Sequence, residues 1–348
     1  MPRIADPSLK FQNVGPGESN SIKTRLEFSR ALFDEDNPLV ARVIVNRLWQ
    51  FHFGKGIYDS PSDAGIVPGG PSHSELLDWL AAELRSNQWS LKSLHRLIVM
   101  SATFRQASSC NDPASAQSWQ QRIKQDSDNR LLSRFPRRRL TGEMIRDAML
   151  CCAGTVNHQA DGPSVKPPLP AEMLATLLKG QWESSTEEAD HHRRSIYVFA
   201  RRNLRYPIFE TFDRPDAGSS CPVRDRSTTA LQSLQMINSQ FSWNIAQALA
   251  SRVDRLMARK SELSDQELQT ARIVALFEIA LARQPSDDEM QLFIDEFQAG
   301  DQANDEKAND EKANDEKAGG MPSESWSRDF LPTLCLAILN CTEFITLD

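Results

Sequence analysis

What most constrains this chain is how often a helix start is written into it. A serine followed three residues later by glutamate, just ahead of apolar residues at helical spacing, occurs at Ser72-His73-Ser74-Glu75, Ser264-Asp265-Gln266-Glu267 and Ser286-Asp287-Asp288-Glu289. In such a capping box each partner satisfies a backbone N–H that the first helical turn leaves unpaired, so the pattern predicts where helices begin. Asn37-Pro38 opens a further helix toward His52, which the Phe53-Gly54-Lys55-Gly56 turn stops. The helix after Ser74 should reach about Ser86, and Ser90 caps the next, with a stripe of Leu91, Leu94, Leu97 and Ile98. Three consecutive helices with short connections are the pattern of a helical bundle.

Further along, residues 106–128 are polar and read as a surface connection with one helical turn near Trp119. Leu140, Met144, Ile145, Ala148 and Met149 make another helical stripe, and 157–170 is too rich in Gly and Pro to be regular. The run Ser195-Ile196-Tyr197-Val198-Phe199-Ala200 is the best strand candidate, and its unbroken apolar character predicts burial on both faces. Helical spacing resumes from Thr228 to Met257 with a break near Asn238, and an apolar helix runs around Phe330 to Leu339. The expected fold is mainly α, a multi-helix globular domain with a small buried β element in the middle of the chain. Residues 1–23 read as an extended or disordered N-terminus, and 24–348 as one domain: 24–105 helical, 106–128 the connection, 129–260 central with the β element, 261–348 helical. Within the last part lies a disordered insert, 300–325, holding three copies of Ala-Asn-Asp-Glu-Lys at 303–317, too polar to bury anything.

Several classes of function drop out. No run of 18 apolar residues exists, so no transmembrane segment is expected, and the first twenty residues lack the charged start and apolar stretch of a signal peptide. A net charge of −7, from 47 acids and 40 bases, argues against nucleic acid as a partner. The six cysteines include no C-x-x-C, and the six histidines no H-E-x-x-H, so neither a metal nor a cofactor is expected. Cys151, Cys152, Cys335 and Cys341 fall in helical patterns, where cysteine behaves as a small buried hydrophobe. G-x-S-x-G, P-loop and G-x-G-x-x-G motifs are absent as well.

Three sets of residues carry chemistry. Arginine makes up 29 of the 40 bases, and residues 193–205 hold five arginines and no acid. Arg194, Arg201, Arg202 and Arg205 could grip a sulfate or carboxylate bidentately, although nearby acids could equally neutralise them inside the fold. Arg42 and Asn46 share a helix face beside Arg47, which suits a ligand site or a hydrogen-bonded link from helix to loop. His52, with Asp59, Asp63 or Asp213 as carboxylate partner, is the candidate acid or base of an enzyme. Beside that reading, His52 near a helix end suits the helix dipole and Asp63 suits a turn.

Twelve ordered segments carry a resemblance. They include Asn37-Pro38-Leu39-Val40-Ala41-Arg42-Val43-Ile44-Val45-Asn46-Arg47-Leu48-Trp49-Gln50, Phe53-Gly54-Lys55-Gly56-Ile57, Arg137-Arg138-Arg139-Leu140, Glu143-Met144-Ile145-Arg146-Asp147-Ala148, Glu210-Thr211-Phe212-Asp213 and Leu339-Asn340-Cys341-Thr342-Glu343-Phe344. From about residue 24 to its end the chain resembles the planctomycete-specific C-terminal domain of unknown function fifteen-fifty-three. That resemblance implies a module of large secreted or envelope-associated proteins and an extracytoplasmic location; the arginine bias and the basic segment suit an anionic polysaccharide or an envelope protein as partner. It implies no established chemistry. The chain has no haem motif, so the electron transfer of the cytochrome-c-like module that precedes such domains is not carried over, and the sequence reads as a stand-alone copy. Asp63-Ala64-Gly65 replaces the usual Asp-Phe-Gly. Two readings follow: a non-catalytic binding or scaffold module, or a glycan-acting hydrolase or lyase using His52. Convergence of His52, Asp63, Arg47 and Asp213 would favour the enzyme; their separate pairing would favour the module.

Overall fold

The computed structural model describes residues 24–34, 36–61, 70–110, 112–258, 264–295 and 327–347. The N-terminal segment 1–23, Asp63 and the insert 300–325 lie outside these. The fold is mainly α, and the chain divides into two compact units, one ending at Arg138 and the other running from Arg139 to Leu347.

In the first unit, α1 (Arg25–Leu32) starts from a Thr24–Glu27 capping box, and α2 (Leu39–Phe53) packs on α3 (Ser74–Ser86) and α4 (Leu91–Val99). Ala41, Val45, Leu48 and Trp49 of α2 are buried with Leu77, Leu80, Leu84, Leu94 and Ile98, the inward stripes of three amphipathic helices. Gly54 ends α2 at φ +82°, a conformation that glycine adopts without steric cost. Ser90 caps α4 as expected, whereas α3 begins at His73 without a side-chain cap. Ser72 instead donates its hydroxyl to the Ile57 carbonyl, so a tertiary bond has taken the capping group. The connection 106–128 contains a full helix, α5 (Ala116–Gln125), which buries no residue and therefore shows no apolar stripe to read.

The second unit is built around α11 (Gln240–Met257). Its buried residues Ser242, Ile245, Ala246, Leu249, Ala250, Val253 and Met257 recur every three or four positions, and α6 (Gly142–Ala153), α12 (Asp265–Leu281) and α14 (Ser327–Asn340) pack around it. α10 (Ala230–Asn238) and α11 are separated at Ser239, the predicted break. Short helices α7 (Ala171–Ala175), α8 (Glu188–His191), α9 (Pro207–Thr211) and α15 (Thr342–Ile345), and a helix over 287–295 (α13), complete it. The Ser264 and Ser286 capping boxes both form.

The expected strand at 195–200 is not one. Ser195–Tyr197 forms a 3-10 turn, Val198 makes a single bridge to Val165, and Ile196 is 78% exposed, so the run is not buried on both faces. Side chains of α6 impose this shape: Arg146 donates to the carbonyl of Arg193 and the hydroxyl of Ser195, and Asp147 accepts the Ser195 N–H at 2.7 Å. The small β element of the described residues pairs β1 (Arg138–Arg139) with β2 (Thr346–Leu347). Of the cysteines, all free, Cys152 and Cys335 are buried and Cys341 half-buried, but Cys151 is exposed, on the outer side of α6.

Candidate functional site

The candidate residues take separate places within the two units. Arg42 forms a 2.5 Å ion pair with Asp78, tying α2 to α3. Asn46 donates to the Tyr58 carbonyl at 2.9 Å and accepts the Tyr58 N–H at 2.8 Å, so it links helix to loop. The same amide explains Gly56, where a Cβ would stand 2.6 Å from the Asn46 side-chain oxygen. Arg47 is exposed on the outer side of α2.

His52 meets another histidine rather than a carboxylate. Its Nε2 lies 2.8 Å from Nδ1 of His95 on α4, and its ring packs edge-on against Phe104. Burial, then the neighbouring His95 and Arg138, hold its pKa below the ordinary 6.5. Asp213, in the second unit, accepts from Arg139 at 2.7 Å and from both the N–H and the hydroxyl of Ser227. Burial opposes ionisation there, but the Ser227 and Arg139 bonds outweigh it and hold the carboxyl below its usual range.

Four of the five arginines of 193–205 engage different groups. Arg193 is 2% exposed and lies over the Tyr197 ring while donating to the carbonyls of Gln159, Asp161 and Pro163. Arg194 reaches Asp147 at 3.5 Å, Arg201 donates to the Gln181 carbonyl, and Arg205 to that of Arg214. Arg202 is exposed. Most of this basic segment therefore holds irregular chain in place: a buried guanidinium with five N–H donors satisfies several carbonyls at once.

Asp59, of the candidate acids, lines a cavity. A cleft of about 310 Å³ in the first unit lies between the loop after α2 and the segment 128–136. The buried Trp49 and Phe53 back it and Tyr58 lines it, with Lys55 and Arg130 as positive charge and Asp59 and Asp128 as negative charge. Both walls are fixed. Asn46 holds the first, while in the second the buried Asp126 carboxylate accepts the N–H groups of Arg130 and Leu131, and Arg134 donates to the carbonyls of Asp126 and Ser127. Asn129 and Leu132 adopt φ of +52° and +53°, and Asn129 bonds the Arg134 backbone through both side-chain atoms. Backbone in this region is costly unless its surroundings enforce it, and such positions gather at binding sites. Lys55, Arg130 and Asp128 escaped the sequence reading. The available signal was the density of turn-forming residues in Asp126-Ser127-Asp128-Asn129-Arg130.

No three His, Cys, Asp or Glu side chains among the described residues come together as a metal-ligand set, and no helix among them is long and apolar enough to cross a membrane. A family model described as protein of unknown function (DUF1553) matches residues 24–296. No curated protein and no solved structure matches.

Proposed function

The chain belongs to the DUF1553 family of proteins of unknown function, and from that resemblance together with its own residues we propose that it is a non-catalytic binding or scaffold module of a secreted or envelope-associated planctomycete protein, holding a polysaccharide or an envelope protein. The observation that carries this reading is the separate engagement of the reactive side chains. His52 is paired with His95, Asp213 is saturated by Arg139 and Ser227, and neither lines the cleft. A catalytic acid or base needs a second group and space for the reacting atoms beside it.

A hydrolase or lyase is the second reading, and one observation favours it: Asp59 and Asp128 line the same cleft, and a pair of carboxylates across a sugar site is the minimum equipment of a glycosidase. The test is a screen of the purified chain against neutral, carboxylated and sulfated polysaccharides, read by retention and by release of reducing ends. Retention without release is expected. Release that disappears in Asp59→Asn or His52→Ala would replace the module by an enzyme.

A further inference from the structure

In the first unit, several charged groups away from the cleft meet partners within the fold, while others, such as Arg47, stand exposed on outer helix faces. Arg42 pairs with Asp78, Arg134 caps two carbonyls, and Asp126 accepts backbone N–H groups. At the cleft, the side chains of Lys55, Asp59 and Arg130 make no hydrogen bond or ion pair among the described residues, and the Asp128 carboxylate has only a 3.5 Å contact from Ser127. Two cations and two carboxylates line one space without closing on each other, because Asn46 fixes one wall and the Asp126–Arg134 bonds fix the other.

That arrangement selects a class of ligand. Equal numbers of both signs give no net attraction for a polyanion, whereas each group can make a charge-assisted bond to a neutral hydroxyl: Lys55 and Arg130 donate, Asp59 and Asp128 accept, and Ser60 can do either. The half-buried Tyr58 offers an apolar ring for the C–H side of a sugar. A volume of about 310 Å³ is at the small end of ligand sites and suits one or two rings. Walls that are already ordered reduce the entropy that binding must overcome. We infer that this cleft binds a short, neutral, hydroxyl-rich segment of a glycan. The inference rests on the module reading and names the ligand class that reading leaves open.

The experiment is calorimetric titration of the full chain with neutral cello-, xylo-, manno- and chito-oligosaccharides, and in parallel with sulfated and carboxylated oligosaccharides, at 50 and 500 mM NaCl. Reducing ends are assayed in the same samples. At least one neutral series should bind saturably, with affinity changing less than about twofold between the two salts. Asp59→Ala and Arg130→Ala should each weaken that binding about tenfold, the loss expected for one charge-assisted hydrogen bond, while thermal unfolding stays as in the parent. Binding of the charged series alone, weakened by salt, would overturn the neutral-ligand inference and leave the module standing. Neutral binding unchanged in both variants would overturn the cleft as its site. Binding of no oligosaccharide would overturn the inference outright, and reducing-end release would overturn the module reading itself.

Discussion

Asn46 is the side chain on which the cleft most depends, because one amide satisfies both polar groups of the Tyr58 peptide. Asn46→Ala removes two hydrogen bonds and leaves partly buried groups unpaired. A loss of about 2 kcal/mol is expected in urea denaturation, together with loss of ligand retention. Gly56→Ala should act on the same joint by collision, since the added methyl would meet Asn46 and the Tyr58 carbonyl at 2.6 Å. The opposite sign is expected at Ala282, the αL residue after α12 at φ +55°. Ala282→Gly relieves that conformation and should raise stability by about 1 kcal/mol in the same assay. Thiol reactivity follows exposure. Cys151 and Cys221 should react with a thiol reagent in the native protein, whereas burial pushes Cys152 up to about 11 and Cys335 well above its ordinary value, so both should stay silent until unfolding.

At the scale of elements, the irregular loop 157–170 has no ladder of its own and is ordered by Arg193. The guanidinium takes the place that a strand partner or a bound ion fills in other loops, with Tyr197 beneath it and the Tyr197 hydroxyl accepting the Asp161 N–H at 3.1 Å. Arg193→Ala should therefore open this loop selectively. Cleavage within 157–165 on limited proteolysis, with a stability loss of about 3 kcal/mol, is the expected result. An unchanged digestion pattern would show that the loop holds without it. At the other end of the unit, Arg283 forks to Glu289 on α13 and Glu343 on α15. The Arg283 bonds hold Glu289 down to about 2. Because the folded pKa is depressed, the stabilisation is complete above the ordinary 4.5 and disappears as pH falls toward 2. Glu289→Gln should flatten the acid limb of a stability curve over that window.

The whole molecule also carries a pH dependence nearer neutrality. Burial is the largest cause lowering both His52 and His192, so the unfolded chain binds protons that the folded chain refuses. Stability from these two groups is full above the ordinary 6.5 and declines as pH falls below it. The melting temperature should drop between pH 7 and pH 5, and His52→Asn should reduce the slope.

The longer helices, their order and most of their boundaries were legible in the chain, because caps, glycine stops and apolar periodicity are local and act within one or two turns, whereas α1 and the short helices α7, α8, α9 and α15 were not. Where a helix buries nothing, as in α5, or where a distant side chain claims the capping serine, as at Ser72, local pattern lost its meaning. The run 195–200 failed for the same reason, its turn being set by Arg146 and Asp147, 47 or more residues away. The sequence by itself determined that this is a mainly helical chain rich in arginine and acid. Only the tertiary structure decided which charges remained available, since a guanidinium reads the same in sequence whether carbonyls surround it, as at Arg193, or a cleft does, as at Arg130.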